Sequence, residues 1–225
     1  MPPNRPVIMR SVIFVLATAI CSLVGSCAAL MQPDPEKALF AIDPGDPPAA
    51  GNSQTSSLKL PTTMRAETVL RVRLLRVASP YNGQAFVYKT TGNEFRTDYY
   101  NGFIAAPDQL LTGSLIAWLL RAGPFDSVVD VASGIPARYV LEGNVTALYG
   151  DYSDKAIPKA VMVVRIFLLD DHDANLRIMF EKQYSATSAI ERGNVNSLVK
   201  GWGIAFRQIL EQMTADLRDL PLTDS

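Results

Sequence analysis

Histidine and cysteine are almost missing from this chain, which has one of the former and two of the latter among 225 residues. That leaves too little for a Cys/His metal site or a thiol–imidazole pair, and it removes most chemistry built on a histidine base. Neither sign of charge dominates: 21 lysines and arginines stand against 22 acids, a net charge of −1. A nucleic-acid binder needs a basic surplus on some face, so that class is set aside. No apolar run approaches the roughly 20 residues that cross a bilayer as a helix; the leading run, from Ser11 to Val24, has 14. What remains is a chain that is 48% apolar and 19% charged. It has enough apolar surface for a sizeable core and too little charge for bulk disorder. Its length fits one domain, or two small ones.

Arg5 and Arg10 precede the short apolar run, and Gly25 and Ser26 follow it. A basic start, a short apolar middle and small residues at the end describe a secretory signal peptide. Val24-Gly25-Ser26-Cys27 also resembles a bacterial lipobox, in which small residues let the peptidase approach the backbone. The Cys27 thiol then takes up a diacylglyceryl group and becomes the new N-terminus. Cys21 is a poor rival, because Ile20 is too bulky for the position before the cleaved bond. The expected organisation is residues 1–26 as lipoprotein signal peptide, 27–37 as lipidated cysteine and tether, and 38–220 as the folded domain.

Removing 26 of the 225 residues leaves 199; Arg5 and Arg10 go with no acid, so the charge moves from −1 to −3. Cys27 is then the one cysteine left, and no disulfide forms in the mature chain. Acyl chains contribute ~0.8 kcal/mol per buried CH₂, and two or more anchor a protein stably. Ala28 rather than aspartate follows the anchor, which by the usual sorting rule favours the outer membrane, facing the periplasm.

In the mature chain, Ala38 to Ile42 reads as a strand stopped by a Pro/Gly-rich surface loop from Asp43 to Ser57. Thr68 to Val77 alternates apolar and basic residues in its early part, as a half-buried strand does. Phe86–Lys89 and Glu94–Tyr99 form a hairpin around Thr90-Thr91-Gly92-Asn93. Pro107 and Asp108 suit the first turn of a helix that carries Leu111, Leu115, Trp118, Leu119 and Ala122 and ends at Gly123-Pro124. Further strands are expected at 125–131, 138–148, 159–170 and 176–188. Val195, Leu198, Val199, Trp202, Phe206, Ile209, Leu210, Met213 and Leu217 then mark a helix over 194–218, with Asn194 or Gly193 at its start and Pro221 beyond its end. Runs of strands with two main helices imply an α+β fold: a mostly antiparallel sheet with both helices packed on one face.

Candidate sites are few. Asp170-Asp171-His172-Asp173 is the densest polar cluster, but its acids are consecutive and lack the staggered oxygens, glycine and distal glutamate of a calcium loop. A solvated hairpin tip explains it better, and no nucleophile context accompanies His172. Arg71, Arg73 and Arg76 match phosphate geometry, although a solvated strand face is the simpler reading. The Trp202 and Phe206 stripe reads as core. Tyr99, Tyr100 and Phe103, just before the first helix, are the partner-binding candidates, with hairpin packing as the competing explanation. No catalytic residue, metal ligand or cofactor site is read from the sequence.

Phe86-Val87-Tyr88, Asp98-Tyr99-Tyr100-Asn101-Gly102-Phe103, Pro107 leading to Leu110-Leu111, Trp118-Leu119, Gly123 and Phe125 together resemble the ABC-type transport auxiliary lipoproteins. These accompany mammalian-cell-entry (MCE) transport systems. The resemblance covers most of the mature chain; Asp43–Ser57 reads as an insertion against the usual pattern. It implies a non-catalytic, outer-membrane-anchored periplasmic subunit without cofactor. Its partners would be an MCE-domain protein with its permease and ATPase, and the cargo lipids or other hydrophobic molecules. The family includes ring-forming members, so a homo-oligomer is among the expectations. A lipoprotein assisting outer-membrane or lipopolysaccharide assembly, and a periplasmic hydrolase, are the competing classes; the latter lacks a visible nucleophile and base.

Overall fold

Among the described residues, nine strands gather into one sheet. The computed structural model describes residues 36–48, 68–171 and 176–222; the expected signal peptide, Cys27 and most of the tether lie outside them. The chain divides into Met1–Glu36 and Lys37–Ser225, and every element below belongs to the second unit. In order they are β1 (Ala38–Phe40), β2 (Val69–Val72), β3 (Arg76–Val77), β4 (Ala85–Lys89), β5 (Phe95–Phe103), α1 (Pro107–Ala122), β6 (Ser127–Asp130), β7 (Tyr139–Asp151), β8 (Lys159–Asp170), β9 (Arg177–Ala189) and α2 (Val195–Arg218).

Strand β7 is the organiser. One of its edges pairs antiparallel with β8, which pairs antiparallel with β9. Along its other edge three short strands dock in turn, all parallel: β2 at Tyr139–Leu141, β3 at Asn144–Val145 and β4 at Gly150–Asp151. Beyond β2 lies β6, and beyond β4 lie β5 and then β1. The sheet is mostly antiparallel by ladder length, as expected, while the short pairings except β4–β5 are parallel.

Both helices bury their apolar stripes against one face of this sheet. Helix α1 starts with Pro107 at its first position, and Asp108 lies at the positive end of the helix dipole. Asn194 caps α2 by accepting from the Ser197 N–H at 3.1 Å. Helix α2 packs on β8 and β9, and α1 packs on β3, β6 and α2. Leu70, Val72, Leu141, Val145, Met162, Val164, Ile166 and Leu168 meet them from the sheet. Each such side chain contributes roughly 1.5–3 kcal/mol when fully buried. The two tryptophans keep their N–H groups satisfied: Trp118 donates to Thr214 Oγ1 at 3.0 Å and Trp202 to the Tyr149 carbonyl at 3.2 Å.

Two expectations change at the N-terminal end. The strand stops at Phe40, and the first part of the expected surface loop is held on the helices. Ile42 and Pro44 are buried, and Asp46 pairs with Arg121 of α1. The Asp43 carbonyl lies 2.3 Å from where a Cβ on Gly203 would stand. Only glycine on α2 admits that backbone crossing, at a cost to the helix of about 1 kcal/mol. Residues 49–57 of the expected loop lie outside the described residues.

Candidate docking surface

The β4–β5 hairpin closes as the sequence suggests, with Thr90 N–H donating to the Glu94 carbonyl at 2.9 Å and Gly92 at φ +59°. The second strand runs further than expected, to Phe103, because it carries a large bulge. Between the pairs Val87↔Thr97 and Ala85↔Gly102, β4 advances two residues and β5 five. Those additional residues include Tyr99 and Tyr100. Asp98 holds the bulge shut: its carboxylate accepts from the backbone N–H of Tyr100 at 2.8 Å and of Asn101 at 3.0 Å, and from the Asn101 side chain at 2.9 Å. An aspartate folding the backbone over its own side chain is the usual chemistry of such turns.

Bulges re-aim side chains, and this one turns Tyr99 and Tyr100 out to solvent, 77% and 48% exposed. Their rings meet edge to face, with centroids 5.1 Å apart and planes at 84°, the arrangement that aromatic quadrupoles favour. Leu39 and Ile104 are exposed close by in register: Leu39 pairs with Gly102, and Ile104 N–H donates to the Phe40 carbonyl at 2.8 Å.

Phe103 does not belong to this surface. It is 2% exposed and packs in the core, 4.7 Å from the Phe86 ring and 5.4 Å from Trp202. With regular β1–β5 pairing restored at Asn101, Phe103 lies beside Phe40 on the helix side of the sheet. The expected three-residue group is therefore two exposed tyrosines and one core phenylalanine.

The bulge is electrostatically tuned as well. Burial pushes the Asp98 carboxyl up, but the hydrogen bonds from Tyr88, Asn101 and the Tyr100 and Asn101 backbone outweigh it, and its pKa falls below the ordinary carboxylate range. Tyr88 moves the other way, raised by burial and by its hydrogen bond to the Asp98 carboxylate.

The remaining candidates from the sequence scatter. Asp170 is buried and paired with Arg138 at 3.2 Å, while Asp171 is engaged through its backbone N–H; His172 and Asp173 lie outside the described residues. Arg71, Arg73 and Arg76 share the outer sheet face, away from the helices, but not on one strand. The expected 68–77 strand is interrupted, so that Arg71 belongs to β2 and Arg76 to β3. The signal for that break was Leu74-Leu75, two adjacent leucines that end the alternation. Leu39 and Ile104 carry no signal in the sequence, where a lone exposed aliphatic is ordinary. Among the described residues, no group of three metal-ligating side chains is close enough to hold an ion. No helix among them is long and apolar enough to cross a membrane.

No protein-family model matches the chain, and no curated protein matches it by sequence. Solved structures do match its fold. A Xanthomonas campestris protein of the family model DUF330 superposes with a TM-score of 0.58 at 16% identity, over 66% of this chain and 83% of that one. The crystal structure of an uncharacterized protein gives a TM-score of 0.59 at 15% identity, over 81% of this chain and 99% of its own. Lipoprotein GNA1162 from Neisseria meningitidis matches over 66% of this chain and 99% of its own at 12% identity, but its TM-score of 0.35 supports no inference. The α+β body of this chain has the fold seen in the DUF330 structure.

Proposed function

We propose that the chain is a lipid-anchored, periplasm-facing docking subunit of an MCE/ABC-type transport system that moves lipids or other hydrophobic molecules between membranes. It acts by protein contact, without catalysis. The observation that carries this reading is the Tyr99–Tyr100 pair, two rings turned out by a bulge that Asp98 fastens from within. A core has no use for that arrangement, and rigid exposed tyrosines are among the commonest anchors of protein interfaces. Leu39 and Ile104 are exposed on the neighbouring β1–β5 register.

The lipobox at Cys27 supplies the anchor, and residues 27–37 the tether, in the outer membrane by the Ala28 rule. The partner at the tyrosine pair would be the MCE-domain protein, with its permease and ATPase behind it. The resemblance of the aromatic segment to the transport auxiliary lipoproteins supports the same identification.

The test is affinity capture of the full-length, lipidated protein from gently solubilised, cross-linked envelopes, read by mass spectrometry. Enrichment of an MCE-domain protein together with a permease and an ATPase is expected. Enrichment of β-barrel or lipopolysaccharide assembly factors alone would move the protein to that class instead.

A further inference from the structure

The interruption between β2 and β3 builds a second feature, on the outer sheet face. From Val72↔Leu141 to Arg76↔Asn144, β7 advances three residues while the opposite side advances four. One residue is therefore inserted, and it breaks the inward–outward alternation. Leu75 becomes buried, and Leu74, which strict alternation from Val72 would point inward, is 48% exposed. The insertion is fastened from the helix layer: Leu75 N–H donates to Thr112 Oγ1 at 2.9 Å, and that hydroxyl donates in turn to the Asp108 carbonyl at 2.6 Å. A bulge held by its own side-chain partner is a built feature.

The result is a groove of about 350 Å³ in which Arg73, Leu74 and Arg76 face Glu142 and Asn144 across the strands, with Val131 as a further wall. Val131 is 59% exposed. Its loop is folded back by Asp130 Oδ1, which accepts from Ala132 and Ser133 N–H at 2.9 and 3.1 Å. Arg71 Nη2 also holds the loop, through the Ile135 carbonyl at 2.6 Å. The groove's one carboxylate, Glu142, is engaged by Arg73. Arg76 has no ion-pair partner among the described residues.

The geometry points to a binding site for one anionic amphiphile, a molecule with a phosphate-type head and an alkyl chain. Arg76, with the free donors of Arg73 and the Asn144 carboxamide, fits the head, since guanidinium groups hold phosphate oxygens in a fork. Leu74 and Val131 offer apolar surface to the first part of the chain. The volume falls within the range of small-molecule sites, which suits a single bound molecule. This inference does not depend on the transporter reading, because it concerns a different face and needs no partner protein.

The test uses the full-length lipidated protein in phosphatidylcholine nanodiscs, exposed to a diazirine-bearing dodecyl phosphate, with the cross-linked residues mapped by mass spectrometry. Label is expected on the segments that contain Leu74 and Val131. It should fall about tenfold in Arg76→Gln, as the loss of a charge-assisted contact implies, and by a smaller factor in Leu74→Asn. Excess unlabelled dodecyl phosphate should compete, whereas inorganic phosphate should not. An unchanged thermal melting curve for Arg76→Gln keeps the comparison valid, and Arg76→Lys serves in its place if that variant unfolds. Label elsewhere on the body, label insensitive to both substitutions, or full competition by inorganic phosphate would each overturn the proposal. Label competed by phosphatidylglycerol in the discs and not by dodecyl phosphate would assign the groove to the bilayer surface and overturn it equally.

Discussion

Strand β5 carries aromatic side chains at both ends of a four-residue step, and they serve opposite purposes. Phe103 closes the core against Phe86 and Trp202, while Tyr99 and Tyr100 stand in solvent. Residue type does not separate them, since all three are large aromatics on one strand. What separates them is Asp98, whose hydrogen bonds gather the bulge and rotate the tyrosines off the sheet before regular pairing resumes at Asn101. A surface anchor and a core residue can thus share a short string when one turn-forming carboxylate closes a bulge ahead of them.

The largest expected effect breaks the pair of roles apart. Phe103→Ala should cost about 3–5 kcal/mol of unfolding free energy, as a buried phenylalanine replaced by a cavity does, measured by urea denaturation. Tyr99→Ala and Tyr100→Ala should each stay within about 0.5 kcal/mol of wild type while reducing partner capture. Comparable destabilisation by all three would erase the distinction. Next in size is Gly203→Val, which drives a side chain into the Asp43 carbonyl and should cost about 1–3 kcal/mol. Gly113→Ala in α1 is its counterpart: nothing lies within 4 Å of the added Cβ, so roughly 0.5–1 kcal/mol of stabilisation is expected. If both glycines responded alike, close approach would not be the reason for Gly203.

Acid sharpens the comparison at the bulge itself. The folded-state pKa of Asp98 lies below its unfolded value, which is about 3.9. Its contribution is therefore present above that value and is lost as pH falls through the folded pKa. Urea midpoints followed downward from pH 7 should drop more steeply below about pH 4 for wild type than for Asp98→Asn; parallel profiles would remove Asp98 as the fastener. The smallest effect is a control on the outer sheet face. Arg165 and Glu181 form an exposed pair there, and Arg165→Ala should cost less than about 1 kcal/mol.

Much of the fold was legible because its signals are local. The 3.6-residue stripe from Leu198 to Leu217 and the Asn194 cap specify α2, and Pro107 and Gly123 bracket α1. The hairpin followed from its turn residues. What escaped notice depends on long-range pairing. The sheet order turns on three short strands meeting one edge of β7, and neither composition nor period encodes which edges meet. The side taken by Phe103 is hidden for the same reason, because it is set by β1 pairing from more than sixty residues away in the chain. The tyrosine pair was visible as residues but not as a surface, since exposure came from a bulge that no propensity scale registers. Leu74-Leu75 is the instructive case: the broken alternation was in plain view and marks the inserted residue.

The most direct test of the docking claim is site-specific photo-cross-linking in intact envelopes. A benzophenone side chain would replace Tyr99 in one strain and the exposed Ile157, on the turn between β7 and β8, in another. A cross-link from position 99 to an MCE-domain protein is expected, and none to that protein from position 157. Equal cross-linking from both positions, or a product from position 99 that contains only β-barrel or lipopolysaccharide assembly factors, would contradict it.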